Sequence, residues 1–394
     1  MRATRTDRRD AELVPAGAGA SVRAALVAFS GASFLVSLDR AIFAPLLPAL
    51  ARDLNTTVGG AGLAVTAYVL PYGLCQLFYG PLGDRLGRVA VLRWCFVVFA
   101  LGTGLSALSP NLASLVGLRA ATGAAAAAVI PLALAFIGDA VPYDRRQGAI
   151  AGLMGVTSLG SALSTAAGGV LGGLVSWRAV FALYGVVSLA VAALLFRLPA
   201  ARAAVPEAAR PRYADVLRLP QARFLYALVA LEGAVVLGAF TYLGAFLEER
   251  FGLGYLPIGL VLACYGVGTL LASRLFARFG ARLPESNRLL LGGLLLAAGY
   301  LALLPLRFWP LAALPLLAMG VGFALFHSTL QTRATELVPA ARGTAVAVFA
   351  FSLFVGGAAG TAAFGWLVTA AGYHPLLLVA GLALLAVTAL ARRS

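Results

Sequence analysis

Apolar residues dominate the chain in long runs, which short polar or glycine-containing stretches interrupt. The runs are roughly 20 residues long, and an α-helix of that length crosses the hydrocarbon core of a bilayer, about 30 Å thick. The pattern therefore predicts an all-α polytopic membrane protein with about twelve transmembrane helices. We place these spans at residues 23–50, 61–82, 90–108, 112–136, 148–173, 178–198, 222–249, 256–279, 288–306, 309–332, 342–370 and 374–391.

Composition agrees with a protein whose solvent is the membrane lipid. Hydrophobic residues make up 61% of the chain and charged residues 11%, with a mean hydropathy of +0.93. A soluble domain has about 25% charged residues. The net charge of +15 would suggest a nucleic-acid partner in a soluble chain. Here the basic residues, all arginine, lie mainly in loops between spans, so no nucleic-acid partner is expected.

The arginines predict how the chain is oriented in the membrane. They fall mainly in alternate loops, whereas the opposite loops hold Arg52, Arg178, Arg250 and Arg307. Cytoplasmic loops carry an excess of Lys and Arg, so both termini are predicted to be cytoplasmic, which requires an even number of spans. The first 22 residues lack an apolar core and do not resemble a cleavable signal. We expect a multi-pass protein of the cell (plasma or inner) membrane.

A polar stretch in the middle of the chain divides the spans six and six. We predict a cytoplasmic tail at 1–22, a six-helix bundle at 23–198, a cytoplasmic linker at 199–221, a second bundle at 222–391 and a tail at 392–394. The halves also repeat each other at a nearly constant offset, which predicts two pseudo-symmetric bundles. The repeated residues are Leu82, Arg85 and Gly87 with Leu275, Arg278 and Gly280, and residues 139–145 with residues 336–342.

One loop between spans carries a specific motif. The sequence Gly80-Pro81-Leu82-Gly83-Asp84-Arg85-Leu86-Gly87-Arg88 resembles the loop between the second and third helices of the major facilitator superfamily of secondary transporters. That pattern reads G-x-L-a-D-R-x-G-R, and Gly83 stands where alanine is usual. The resemblance implies alternating access by two six-helix halves around a midplane site.

The same resemblance implies a cytoplasmic gate around this loop. Asp84 would cap a helix N-terminus, and Arg88 would reach Asp139 at the end of the fourth span and close the cytoplasmic face. The alternative is that the arginines of the loop are only topology signals. The expected gate residues are Gly80, Asp84, Arg85, Gly87, Arg88 and Asp139.

Four ionisable residues fall well inside predicted spans: Asp39, Arg40, Arg119 and Glu232. A charged side chain at the centre of a membrane helix costs about 2.5–3.5 kcal/mol, so each should face a water-filled cavity or a partner. They lie on the first, fourth and seventh spans, which line the central cavity in the superfamily that the chain resembles. We therefore expect them at the transport site.

Asp39 is the first candidate for proton carrier or cation anchor. It precedes an apolar stretch and Pro45, which resembles the first-helix signature of drug:proton antiporters. Desolvation in a partly dry cavity disfavours a charged carboxylate and would let it exchange a proton. Arg119 lies in a segment similar to the fourth-helix motif R-x-x-Q-G-x-G, with Thr122 in place of glutamine. The alternatives are a structural Asp39 ion pair, with Arg119 the favoured partner over Arg40, and an Arg119 that orients an anionic substrate.

Two further polar residues and a set of aromatic residues complete the expected site. Glu232 either faces the cavity or makes a buried hydrogen bond, and His327 on the tenth span is a further candidate. Rings beside carboxylates would suit amphipathic, often cationic, compounds through stacking and cation–π contact. The aromatic residues expected at the cavity are Phe34, Tyr68, Phe240, Tyr242, Tyr265 and Phe351.

These features together favour a secondary active transporter that exports small amphipathic or cationic compounds, as an antiporter of the 12-helix drug:proton group. Antiporters of that group carry a G-P-x-x-G-G motif in the fifth span, where this chain has Ser164 and Thr165 in place of Gly-Pro. A proton-coupled symporter or uniporter for a sugar, amino acid or other metabolite therefore stays open, and a membrane enzyme is a remote alternative.

The chain has no nucleotide-binding glycine loop followed by lysine, so the proton gradient is the expected energy source. Its three cysteines lack metal-ligand spacing. We expect no cofactor, no metal and no enzyme activity, and a monomer whose partners are a small-molecule substrate, protons and lipid.

Overall fold

A computed structural model describes residues 18–199, 213–279, 283–337 and 342–393 of the chain. Within these ranges the regular structure is helical, without a strand. The α-helices, numbered in chain order, are α1 (Ala18–Asp39), α2 (Phe43–Asp53), α3 (Val58–Leu86), α4 (Arg88–Ser106), α5 (Leu112–Ala126), α6 (Val129–Ala140), α7 (Tyr143–Leu174), α8 (Trp177–Phe196), α9 (Tyr213–Leu217), α10 (Pro220–Phe240), α11 (Leu243–Phe251), α12 (Tyr255–Phe279), α13 (Glu285–Ala302), α14 (Ala313–Leu337), α15 (Arg342–Ala371) and α16 (Tyr373–Arg393). A short 3-10 helix (Trp309–Ala312) precedes α14.

Some predicted features lie outside the described residues. These are residues 1–17 of the predicted tail, residues 200–212 of the predicted linker, the repeat residues Gly280 and 338–341, and Ser394.

The helices confirm the predicted all-α membrane architecture. Eleven helical segments of the described chain are long and apolar enough to cross a membrane. The twelfth span is α13, which is 18 residues long and carries Glu285 and Arg288 in its first turn. Helix ends differ slightly from the predicted spans, since α1 begins at residue 18 and α10 at residue 220.

Three of the spans are not continuous helices. The first consists of α1 and α2, the fourth of α5 and α6, and the seventh of α10 and α11. Pro45 lies in the first turn of α2 and Pro131 in the first turn of α6. A helix begins readily at such a residue, because a first-turn N–H has no partner within the helix. The breaks in the first and seventh spans occupy equivalent places in the two halves.

Packing between helices shows two equivalent bundles. In the first half α1 packs on α7, α3 on α5 and α4 on α8. In the second half the corresponding pairs are α10 with α15, α12 with α14 and α13 with α16. In both halves the pairs join the first span to the fifth, the second to the fourth and the third to the sixth. The predicted pair of pseudo-symmetric six-helix bundles is therefore confirmed.

The two bundles meet along three helix pairs: α3 with α15, α7 with α12, and α2 with α11. Glycines allow the backbones to touch there, because small residues permit close approach of membrane helices. Gly59 lies against Gly365 on the first pair and Gly169 against Gly259 on the second. We call the end of the molecule that holds these glycines and the Arg52–Glu248 ion pair, with an N–O distance of 2.7 Å, the sealed face.

Glycines near the opposite end of the bundles have free space beside them. A Cβ built on Gly80 of α3, on Gly148 or Gly155 of α7, or on Gly343 of α15 would meet no atom within 4 Å. We call this end, which also holds the turn around Gly87 between α3 and α4, the open face. Backbone contacts between the bundles are thus observed at the sealed face, whereas these four glycines at the open face make no such contact.

Candidate functional site

A cavity of about 430 Å³ lies between the two bundles. This volume falls in the range of small-molecule sites, roughly 300–1,000 Å³. Residues of both bundles form its wall, from the first, second, fifth, seventh, eighth, tenth and eleventh spans. Of the residues predicted for the site, Arg40, Phe240, Tyr265 and His327 line this cavity.

Asp39 and Arg119 form an ion pair inside the first bundle, away from the cavity wall. Both side chains are buried, with exposed fractions of 0% and 1%. The Arg119 Nη2 atom donates to Asp39 Oδ2 at 2.8 Å and Nη1 donates to Oδ1 at 3.2 Å. This bidentate geometry, with two N–H groups bound to two carboxylate oxygens, is the strong arrangement of a guanidinium and a carboxylate. Each charge is therefore compensated by the other.

Aromatic rings surround this pair. The guanidinium carbon of Arg119 lies 4.3 Å from the ring centroid of Tyr68, 4.6 Å from that of Phe43 and 5.7 Å from that of Phe181. Such contacts stabilise a cation where water is absent. Phe43 also lines the cavity, so its ring lies between the ion pair and the cavity.

Glu232 and His327 form a second pair, in the other bundle, and this pair reaches the cavity. Glu232 on α10 is buried, and its two carboxylate oxygens lie 3.2 and 3.3 Å from Nδ1 of His327 on α14. The His327 ring lines the cavity and stacks on Phe323 with 4.7 Å between centroids. The imidazole of His327 therefore lies against both the cavity and the buried carboxylate of Glu232.

Arg40 lies at the break between α1 and α2 and lines the cavity. Its Nη2 atom donates to Ser161 Oγ at 3.1 Å, and its guanidinium lies 5.7 Å from the ring centroid of Phe354. It takes no part in the Asp39–Arg119 pair, because it follows the last residue of α1 and its guanidinium is bonded to Ser161 of α7. Asp39 therefore faces the bundle interior and Arg40 the cavity.

The sequence did not single out the hydroxyl groups of the cavity. The signal that could have found them is the (i, i+4) spacing of Ser and Thr in apolar spans, as at Thr157, Ser161 and Thr165 on α7, because such residues share one face of a helix. The hydroxyl residues that line the cavity are Ser37, Thr157, Ser158, Ser161, Thr165, Thr241, Thr269, Ser273 and Thr361.

Four of the six predicted cavity aromatics do not line the cavity. Tyr68 packs on the Arg119 guanidinium, and Tyr242 is buried toward the sealed face, where its hydroxyl donates to the Thr361 carbonyl oxygen at 2.7 Å. Phe34 and Phe351 are partly buried and are also absent from the wall. Spans that reach the cavity place only one side of each helix on it, which explains these four positions. Phe43, Phe323 and Phe354 line the cavity instead.

The predicted gate residues gather at the open face. Arg88 contacts Asp139 and also Asp84, with 3.1 Å between Arg88 Nη2 and Asp84 Oδ1. Gly87 separates α3 from α4 with a φ of +91°, a conformation that L side chains rarely adopt. Among the described contacts Asp84 accepts from Arg88 rather than from the start of a helix, and α4 has no side-chain cap.

The remaining gate positions are exposed or open. Arg85 is exposed on the last turn of α3, and Gly80 has free space around it. Arg88, Asp84 and Asp139 all belong to the first bundle, and their contacts are present while the sealed face is closed. These ion pairs therefore hold the ends of α3, α4 and α6 together and do not by themselves join the two halves.

Comparisons with known proteins agree with this architecture. A family profile described as Major Facilitator Superfamily (MFS) matches residues 29–361 and 258–393. The chain is 30% identical over 325 residues to a chloramphenicol resistance protein of Streptomyces lividans, covering 81% of this chain and 82% of that protein. It is 28% identical over 351 residues to the uncharacterised MFS-type transporter YceJ of Bacillus subtilis (strain 168), covering 86% and 88%. The crystal structure of a D-xylose–proton symporter, 16% identical, has the same fold, with a TM-score of 0.79 over 94% of this chain and 97% of that chain.

Proposed function

The chain belongs to the major facilitator superfamily, and we propose that it exports small aromatic compounds from the cytoplasm in exchange for protons. It is a multi-pass membrane transporter of this family. Export is supported by the relative named as a chloramphenicol resistance protein, because resistance by a transporter requires removal of the drug from the cell.

The arginine distribution supports a cytoplasmic position for the open face. Arg85, Arg88 and Arg93 lie in or beside the turn at this face, and the positive-inside rule assigns such a loop to the cytoplasm. The cavity would then be open to the cytoplasm and closed to the outside. This is the state in which an exporter loads its substrate.

The Glu232–His327 pair is the observation that carries the proposal of proton coupling. A carboxylate buried in a membrane protein is costly unless a proton or a cation compensates it. Glu232 is buried, while the side chain of its partner His327 is 19% exposed and lines the cavity. Proton gain or loss at this pair changes the charge of the cavity wall, and so it changes how the cavity binds substrate.

Asp39 is the weaker candidate for the coupling site. Its two oxygens are both bound by Arg119, and the Phe43 ring lies between this pair and the cavity. A proton could displace Arg119 only if the first bundle rearranged. We therefore assign proton exchange to Glu232 and His327 and a structural role to Asp39 and Arg119.

The test is proton release by purified protein in weakly buffered detergent when chloramphenicol is added. We expect wild type to release protons and Glu232→Gln to bind the drug without release. The matched control is Glu249→Gln, which changes the same group at an exposed position outside the cavity. Binding by wild type without any proton signal would overturn the coupling and leave a uniporter.

Direction is tested separately in proteoliposomes with an imposed pH gradient. An exporter that exchanges protons moves the drug toward the more acidic side, because protons flow the other way. Movement of the drug along with the protons would make the protein a symporter instead. Glu232→Gln should lose the dependence on the gradient in either case.

A further inference from the structure

Among the described residues, the cavity wall holds basic side chains but no acidic one. Arg40 carries a positive charge, whereas His327 is charged only when protonated and is paired with Glu232. The remaining polar groups of the wall are hydroxyls, which are uncharged. Any negative charge inside the cavity must therefore come from what the cavity binds.

The two acids inside the spans, Asp39 and Glu232, each have a basic partner other than Arg40. Asp39 is bound on both oxygens by Arg119, and Glu232 is held by His327. Neither acid reaches toward Arg40: no carboxylate of the described chain lies within 4.0 Å of its guanidinium nitrogens. Among the described residues, the Arg40 guanidinium contacts the Ser161 hydroxyl and the Phe354 ring.

An arginine in this position needs an anion or water. A guanidinium at the depth of the membrane is costly without a partner, and its planar fork matches a carboxylate or another oxyanion. The ring of Phe354 contacts this guanidinium, and Phe240, Tyr265 and Phe323 line the same cavity, with 4.9 Å between the ring centroids of the first two. A basic group beside aromatic surface fits a ligand with a ring and an acidic group.

We infer that the cavity binds anionic aromatic compounds in preference to cationic ones, and that Arg40 contacts their acidic group. This inference rests on the proposed function and narrows its substrate class. It differs from the cationic substrates expected from the sequence, because no described residue that lines the cavity carries a carboxylate to attract a cation.

Two dyes of one skeleton test the preference. Fluorescein methyl ester, an anion in slightly alkaline buffer, and rhodamine 123, a cation, share a xanthene ring and a methyl benzoate group. Equilibrium binding to the purified full chain in detergent is measured by fluorescence polarisation. We expect wild type to bind the anion at least about tenfold more tightly, since hydrogen bonds to a charged group contribute about 1.5–3 kcal/mol. Equal binding of the two dyes, or tighter binding of rhodamine 123, would overturn the inference.

Variants of Arg40 test whether its guanidinium contacts the acidic group of the ligand. We expect Arg40→Gln to lose about tenfold in affinity for the anion with little change for the cation, and Arg40→Lys to keep the preference for the anion. The matched control is Arg307→Gln, an exposed arginine beyond the end of α13 and outside the cavity wall. An unchanged preference in Arg40→Gln would refute the role of Arg40.

The wild-type comparison of the two dyes needs no variant to fold. Because binding is measured without a gradient and at one fixed pH for both dyes, the comparison does not depend on the direction of transport. Loss of proton exchange with the preference intact would refute the proposed function alone. An absent preference with proton exchange intact would refute the substrate class alone.

Discussion

Closure of the sealed face depends on backbone contact between α7 and α12, and one methyl group should disturb it. A Cβ on Gly169 would lie 2.5 Å from the Gly259 Cα atom and 2.6 Å from the Tyr255 carbonyl oxygen. Carbon atoms pack best at about 3.5–4.0 Å, so the overlap is about 1 Å. Both neighbours are backbone atoms and cannot rotate away. Gly169→Ala should therefore force the two helices apart.

The size of the effect follows from the cost of overpacking. Extra methyl groups in packed interiors cost about 1–3 kcal/mol. If the sealed face opens during transport, the state with an open sealed face does not bear this cost. The equilibrium should then shift toward that state by about 5–150-fold. Gly117→Ala is the matched control, because a Cβ on this exposed glycine of α5 meets no atom within 4 Å.

Distances between spin labels can measure this shift. Leu108 and Phe308 are exposed beyond the ends of α4 and α13, one on each bundle at the sealed face. Cysteines at these two positions carry the labels after the three native cysteines are replaced. Double electron–electron resonance should show a larger long-distance population in Gly169→Ala than in wild type or Gly117→Ala. A short-distance population that persists at its wild-type fraction in folded Gly169→Ala would refute the reasoning.

Three further substitutions test single contacts. Asp39→Asn should lower stability by about 3–5 kcal/mol, because it leaves Arg119 buried without its counter-charge. Thermal unfolding in detergent measures this, and Arg119→Gln in the same chain should recover part of the loss. Ser164→Ala removes a hydroxyl that donates to the Leu38 carbonyl oxygen of α1 and accepts from the Ala41 N–H in the α1–α2 break; we expect a loss of about 1–3 kcal/mol and faster hydrogen exchange at that break. Glu248→Gln should shift closure of the sealed face by less than about fivefold, and high salt should abolish the difference, because the pair with Arg52 is exposed.

The frame of the molecule could be predicted because hydropathy is a property of each segment alone. A run of apolar residues must be helical and must cross the bilayer, since its backbone has no other way to satisfy its hydrogen bonds there. The glycine motif that ends at Arg88 marked a membrane face for the same reason, but the loop predicted there is wrong, because α3 continues to Leu86 and only Gly87 separates it from α4. The charged residues Arg40 and Glu232 were informative because their cost in lipid requires a compensating environment.

The orientation of side chains around each helix could not be predicted in the same way. Lipid and protein interior are both apolar, so a membrane helix lacks the polar side that marks solvent in a soluble protein. Trp366 is 72% exposed on the outside of the bundle, whereas Tyr68 is 1% exposed. Nothing in their local sequence distinguishes these two positions. Tyr68 and Tyr242 were therefore placed wrongly on the cavity wall.

The sequence by itself determined that the chain crosses the membrane about twelve times in two similar halves, and that a few costly charges need partners. Only the tertiary structure decided which charges meet. Asp39 pairs with Arg119 across two helices, Glu232 pairs with His327, and Arg40 is left facing the cavity. The physical reason is that the free energy of moving a side chain from water into lipid depends on that residue alone. An ion pair depends instead on how two helices are rotated and shifted along their axes relative to each other.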